Sequence, residues 1–162
     1  MPSLVAGDRV GSVGSVRAEA EAVLEAEPSR TFAVLADLGA WPAWLDVVAR
    51  AEPDVADGED AVAWRVRLGV SFGPASLGYD VRMVRVIAVP GEHLRFERDE
   101  RDGRRDHSMV VIDVSLAPDG ERTRATVTLE IDKRIPILDL QRQLDRRAAR
   151  ATRRLQRLLD EV

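Results

Sequence analysis

A chain of 162 residues, 45% hydrophobic and 32% charged, has the composition of a folded globular protein and the length for one domain with a substantial core. The lack of cysteine excludes disulfides and thiolate chemistry, and no apolar run approaches the roughly 18 residues of a membrane-spanning helix. The net charge of −4 is unevenly spread, because from Lys133 onward nine basic residues meet four acidic ones, a local +5 that leaves −9 for the rest.

The first stretch, MPSLVAGDRVGSVGSV, has no basic start and breaks its apolar residues with Asp8 and Arg9. No secretory signal is expected, and a cytoplasmic location is. Residues 1–15 read as a flexible leader and 16–162 as a single domain. From 17 to 26, RAEAEAVLEA alternates strictly, with Ala18, Ala20, Ala22, Leu24 and Ala26 on one side and Glu19, Glu21 and Glu25 on the other. Alanine and glutamate prefer helices, but a period of two outweighs propensity and predicts a strand. Pro28 suits the first position of a helix. Phe32, Leu35, Ala36 and Leu38 then recur at helical spacing, with Gly39 as its stop. Trp41-Pro42 restarts the chain into a second short turn that carries Trp44 and Leu45.

After Val48 the pattern is β. Residues 62–72 place Val62, Trp64, Val66, Leu68, Val70 and Phe72 on one face against Arg65 and Arg67. Residues 77–89 repeat the scheme with Leu77, Tyr79, Val81 and Met83, and the blurred parity at Val84 and Val86 suggests a bulge. Pro90-Gly91 is a turn, and Leu94 and Phe96 mark a short strand. A hairpin tip is expected at Asp102-Gly103. Ser108, Val110, Ile112, Val114 and Leu116 form the next inward row, and after a Pro-Asp-Gly turn Ala125, Val127, Leu129 and Ile131 form the last.

From about Ile135 to Glu161 the period becomes helical. Ile137, Leu140, Leu144, Ala148, Ala151, Leu155, Leu158 and Val162 fall in a stripe about 80° wide, opposite Arg142, Arg146, Arg150, Arg153 and Arg157. The stripe is bulky at its ends and small at Ala148 and Ala151. That leaves room over a large sheet, or simply reflects alanine's helix propensity.

The order strand, helix, short helix, antiparallel strands and long C-terminal helix resembles the START-like helix-grip superfamily, in its polyketide cyclase/dehydrase-like branch. EAEPSRTFAVLADLGAWPAWL (25–45) is similar to that family's proline-started helix, Leu-x-Asp and spaced tryptophans. VIAVPGEHLRFE (86–97) is similar to its strand–turn–strand. A weaker likeness, to the superfamily's carrier branch related to carbon monoxide dehydrogenase, rests on VSFGPASLGYDVRM (70–83), with Gly73 and Gly78 at a strand entry. The resemblance implies an α+β helix-grip fold. In it a curved antiparallel sheet of six to seven strands wraps a long C-terminal helix, two short helices follow the first strand, and an apolar cavity lies between sheet and helix.

In such a fold Trp41 and Trp44 close one end of core or cavity. The residues expected to face a ligand are Trp41, Trp44, Trp64, Val66, Tyr79, Val81, Met83, Phe96, Ile112, Leu144, Ala148 and Ala151. Tyr79 either orients a ligand or rests at a sheet edge, and Arg85 is expected to point to water after the bulge. No metal site is expected from His93 and His107 alone, no cofactor is implied, and no Gly-x-Ser-x-Gly elbow supplies a nucleophile. The leading expectation is therefore binding of a small hydrophobic molecule such as a lipid, quinone or polyketide-like compound. An aromatase/cyclase on the same fold is one alternative. Another is an interaction module meeting a protein or anionic membrane through the Arg-rich helix or the Met109/Val111 face. Nucleic acid is disfavoured, since no aromatic residue lies among those arginines to stack on bases. Oligomeric state is not legible.

Overall fold

A computed structural model describes residues 14–55, 58–72, 75–101, 108–132 and 139–162, with backbone alone at 70–72 and 75–77. The expected leader up to residue 13, Gly73, the Asp102-Gly103 tip, His107 and Ile137 lie outside the described residues, as do the side chains of Val70, Phe72 and Leu77.

The alternating segment is a strand, β1 (Ser15–Leu24). Propensity yields because the strand pairs with β7 (Arg122–Asp132) over ten positions, from Ser15 opposite Asp132 to Leu24 opposite Thr123. In that register Ala18 and Leu24 are buried while Glu19 and Glu21 face solvent. Helix α1 (Pro28–Leu35) starts at the proline and ends short of the expected stop at Gly39, with Ala36 as its cap. Gly39 instead lies inside a 3-10 turn (Leu38–Ala43) whose Asp37 cap accepts from the Gly39 N–H at 2.8 Å. A Cβ there would sit 2.9 Å from Asp37 Oδ1, so the cap and the glycine require one another.

The remaining strands are β2 (Val48–Pro53), β3 (Ala63–Phe72), β4 (Ala75–Val89), β5 (His93–Arg98) and β6 (Val110–Asp119). All seven form one antiparallel curled sheet in the order β1-β7-β6-β5-β4-β3-β2. A register shift between Arg85 and Ile87 supplies the bulge expected in β4. Ahead of it Met83 and Val84, on opposite faces, are both buried, Val84 on the same face as buried Arg82, while Val86 is 48% exposed. Val62 departs from the expected inward row: it precedes β3 and is 38% exposed, and Ala63 is buried in its stead. Gly91 and Gly120 take φ of +74° and +67°, as the two predicted turns require.

The C-terminal helix α2 (Leu140–Glu161) closes the grip. Its buried stripe is Leu140, Gln143, Leu144, Ala151, Leu155 and Leu159, while Val162 is 77% exposed. The stripe thus ends on Leu159, where Leu158 and Val162 were expected. Arg30 on α1 donates to the carbonyls of Leu159 and Val162 and holds that last turn. No described helix is long and apolar enough to cross a membrane.

Candidate functional site

An apolar cavity lies under α2 at the β1–β7 end of the sheet. Leu144, Ala148, Ala151 and Leu155 roof it, Ala20, Ala22, Ala125 and Val127 floor it, and Leu35, Trp44 and Leu45 close one end. The two facing patches of alanine come from the small middle of the helix stripe and the small inward row of β1. Together they leave a hollow that longer side chains would fill. The space open to the centre of a water-sized sphere is about 40 Å³, where one water needs roughly 10–15 Å³. Counted through its mouth to solvent, the hollow is about 500 Å³. Exposed Glu21 and half-buried Thr152 stand at that mouth.

The mouth opens along a seam between β1 and α2. β1 is an edge strand, and its backbone edge faces the helix. Gln141 accepts from the Glu19 N–H (2.8 Å) and donates to the Glu19 carbonyl (2.9 Å). Gln156 treats Glu25 the same way, at 2.7 and 3.4 Å. Each glutamine also donates to an aspartate one turn on, Gln141 to Asp145 and Gln156 to Asp160. The spacing suits both elements: the six-residue advance along β1 spans about 20 Å and the fifteen-residue advance along the helix about 22 Å. Strand and helix therefore run side by side, clipped at two points. Between the clips the helix offers Ala148 and Thr152, and among the described residues no amide clip covers Glu21 or Val23.

The three tryptophans behave differently. Trp41 is fully buried and its Nε1–H donates to the Leu35 carbonyl at 3.0 Å. Trp64 Nε1–H donates to Asp37 Oδ1 at 3.1 Å, so the carboxylate that caps the 3-10 turn also pins β3. Trp44, 4% exposed and lining the cavity, has an Nε1–H that is buried without a partner among the described residues. Ring contacts join Trp44 to Trp41 (4.8 Å), Trp41 to Phe96 (6.0 Å) and Phe96 to Trp64 (5.7 Å).

Of the residues expected to face a ligand, Trp44, Leu144, Ala148 and Ala151 line this cavity. Trp41, Trp64, Val66, Val81, Met83, Phe96 and Ile112 sit in the closed core toward β3–β6. Tyr79 packs against that core half-buried, with the Arg98 guanidinium 5.6 Å from its ring centre and Arg98 Nη1 donating to its hydroxyl at 3.4 Å. Arg85, expected in water, instead donates to the Ala36 carbonyl at 3.0 Å and caps the end of α1. Sequence reasoning did not mark Leu35, Leu45, Val127, Thr152 or Leu155 as lining. The inward parity of Val127 and the helical phase of Thr152 with Ala148 were the available signals.

Charge gathers on the far side of the sheet. His93 contacts both Asp113 oxygens at 3.0 Å and is half-buried rather than fully exposed. Arg95 is held firmly protonated by its hydrogen bond to Glu97 and, after an opposing effect of burial, by Asp113. Glu100 accepts from the Arg82 N–H, Arg98 and Arg65. Burial alone would raise its pKa, but these donors together outweigh it and hold the carboxyl below its ordinary value. Among the described residues no group of three or more histidine or carboxylate side chains is placed to hold a metal.

A family model described as polyketide cyclase / dehydrase and lipid transport matches residues 15–161. No curated protein matches the sequence. Among solved structures, a START superfamily protein from Mycobacterium smegmatis is similar with a TM-score of 0.64 at 11% identity, over 90% of this chain and 97% of that one. The Thermus thermophilus protein TTHA0849 shares 24% identity with a TM-score of 0.55, over 90% and 95%. The di-domain ARO/CYC StfQ from the steffimycin biosynthetic pathway gives 0.60 at 13% identity, over 99% of this chain and 55% of that one. At these identities the likeness establishes the fold.

Proposed function

The chain belongs to the polyketide cyclase / dehydrase and lipid transport family, and from that premise we propose that it binds a small hydrophobic molecule between the sheet and the C-terminal helix. The observation that carries this reading is the lining. Eleven of its thirteen described residues are alanine, valine, leucine or tryptophan, and burying a ligand's apolar surface there gains about 25 cal/mol per Å². The cavity is too small at rest for a ring system, so occupancy requires α2 to lift along the seam, against two exposed amide clips and the buried stripe of the helix.

Binding without chemistry is preferred over a cyclase. Apart from the single indole N–H of Trp44, the polar side chains in the described lining are Glu21 and Thr152, both at the mouth, and both are engaged: Glu21 with Arg124, and the Thr152 hydroxyl with the Ala148 carbonyl. A cyclase would need donors converging on a reacting carbonyl deep in the pocket. Native mass spectrometry of gently purified protein, followed by solvent extraction, tests the proposal. A retained hydrophobic compound is expected. A clean apo mass together with failure to take up lipids, quinones or aromatic polyketides would defeat it.

A further inference from the structure

We propose that Trp44 is the polar anchor of the cavity, and that its indole Nε1–H selects a ligand with a neutral acceptor oxygen, such as a ketone or quinone carbonyl, on an apolar body. This rests on the binding reading above and goes further, to the ligand's chemistry.

Two independent observations converge. The first is the orphaned donor. A buried N–H without an acceptor is costly, and native structures keep few. The indoles of Trp41 and Trp64, in the same cluster, both have acceptors. The exception is the one indole of the three that lines the cavity. Nε1 itself is closed off at rest, and once α2 lifts for a ligand, an oxygen brought to Nε1 would supply the missing acceptor.

The second is the charge of the lining. No arginine, lysine or histidine is among the described residues that form it, and the one ionisable group there, Glu21, is acidic. A ligand carboxylate or phosphate drawn inside would lose its water and gain no counter-charge. A carbonyl gives up far less hydration and needs a single donor, which Trp44 provides. The pocket thus favours ketones and quinones over fatty-acid anions with bodies of the same size.

The test uses three probes on the full chain: 2-methyl-1,4-naphthoquinone, 2-methylnaphthalene with the same carbon skeleton but no oxygen, and decanoate. Binding is followed by calorimetry and by the three indole N–H signals in nitrogen-15 NMR, with Trp44→Phe assigning the Trp44 signal by its loss. The quinone is expected to bind about fivefold to tenfold more tightly than the hydrocarbon, the value of one neutral hydrogen bond, and to move the Trp44 signal downfield. Trp44→Phe is expected to remove that preference while hydrocarbon binding persists. Persistence of the Trp41 and Trp64 signals reports that the variant folds.

Equal binding of quinone and hydrocarbon by the wild-type protein overturns the anchor and leaves hydrophobic binding standing. Tighter binding of decanoate overturns the neutral-acceptor selection. If no probe binds, the anchor falls, and the extraction experiment decides separately whether the binding reading falls with it.

Discussion

Gln141 and Glu19 meet twice, side-chain amide to backbone amide: the Glu19 N–H donates to Oε1 at 2.8 Å and Nε2 donates to the Glu19 carbonyl at 2.9 Å. This is how a strand neighbour would pair, performed by one side chain. An exposed edge strand invites pairing with another chain, and here the helix blocks it at Glu19 and again, through Gln156, at Glu25. Because the clips lie at the surface they are replaceable by water, and each contributes about 1 kcal/mol at most. They set the position of the helix on the strand, while its buried stripe supplies most of the hold.

Loosening the clips should therefore change kinetics more than fold. Gln141→Ala with Gln156→Ala is expected to cost about 1–2 kcal/mol of stability. It is also expected to raise the hydrogen-exchange rates of the Glu19 and Glu25 amides, and to speed ligand entry and exit with affinity changed less than either rate. Unaltered exchange at those two amides would mean that the clips do not hold the seam.

Filling the hollow should compete with a ligand. Ala148 and Ala151 lie over the cavity, the first half-buried and the second 7% exposed. Ala151→Leu adds three carbons to a space of about 40 Å³. Calorimetry is expected to show ligand affinity down by tenfold or more, with stability changed by about 1–3 kcal/mol in either direction, according to whether gained contact or strain prevails. Leu→Ala at Leu68, a core residue in β3 outside the lining, is the control. It should cost about 2–5 kcal/mol and leave the selectivity among ligands alone.

Asp37 joins elements that are distant in sequence. Its Oδ1 takes the Gly39 N–H and the Trp64 indole N–H together. Asp37→Ala leaves the indole donor of buried Trp64 and a turn amide without their acceptor, and is expected to cost about 1–3 kcal/mol by denaturant unfolding. Asp37→Asn keeps an acceptor oxygen at that place and should recover much of the loss. Gly39→Ala should damage the same turn from the other side, through the 2.9 Å approach of its Cβ to Oδ1.

The order of elements and the inward rows of β1, β6 and β7 were legible because each row repeats with a period of two against mostly polar neighbours. The C-terminal helix was legible for the corresponding reason at 3.6. What could not be read is where the emptiness lies. Trp64, Met83 and Phe96 share the inward parity of Ala20 and Val127, yet the first group packs into the core, with Trp64 and Phe96 ring against ring, while the second faces alanine across a gap. Parity tells which face a side chain takes, and only the register of β1 on β7 and the phase of the helix decide what stands opposite. The same limit hid Arg85, whose partner is the end of α1, forty-nine residues earlier in the chain. It also hid the glutamine clips, which belong to no periodic pattern.

Acid should weaken the fold through Glu100. Its carboxylate accepts from the Arg82 N–H, from Arg98 and from Arg65, and its folded pKa lies below the unfolded value of about 4.3. In the window between the two values the unfolded chain binds more protons than the folded one, so stability rises with pH there. The contribution is fully present above the unfolded pKa and is lost as pH falls through the folded one. Asp80, lowered chiefly by its hydrogen bond from Arg67, acts in the same direction. It lies at the surface, where such pairs contribute little. Glu100→Gln is therefore expected to lower stability at pH 7 and to flatten the loss below about pH 4.5, measured by urea unfolding at a series of pH values. Asp80→Asn should leave that acid limb nearly unchanged. Parallel curves for wild type and Glu100→Gln would mean that the three donors do not hold the carboxylate ionised.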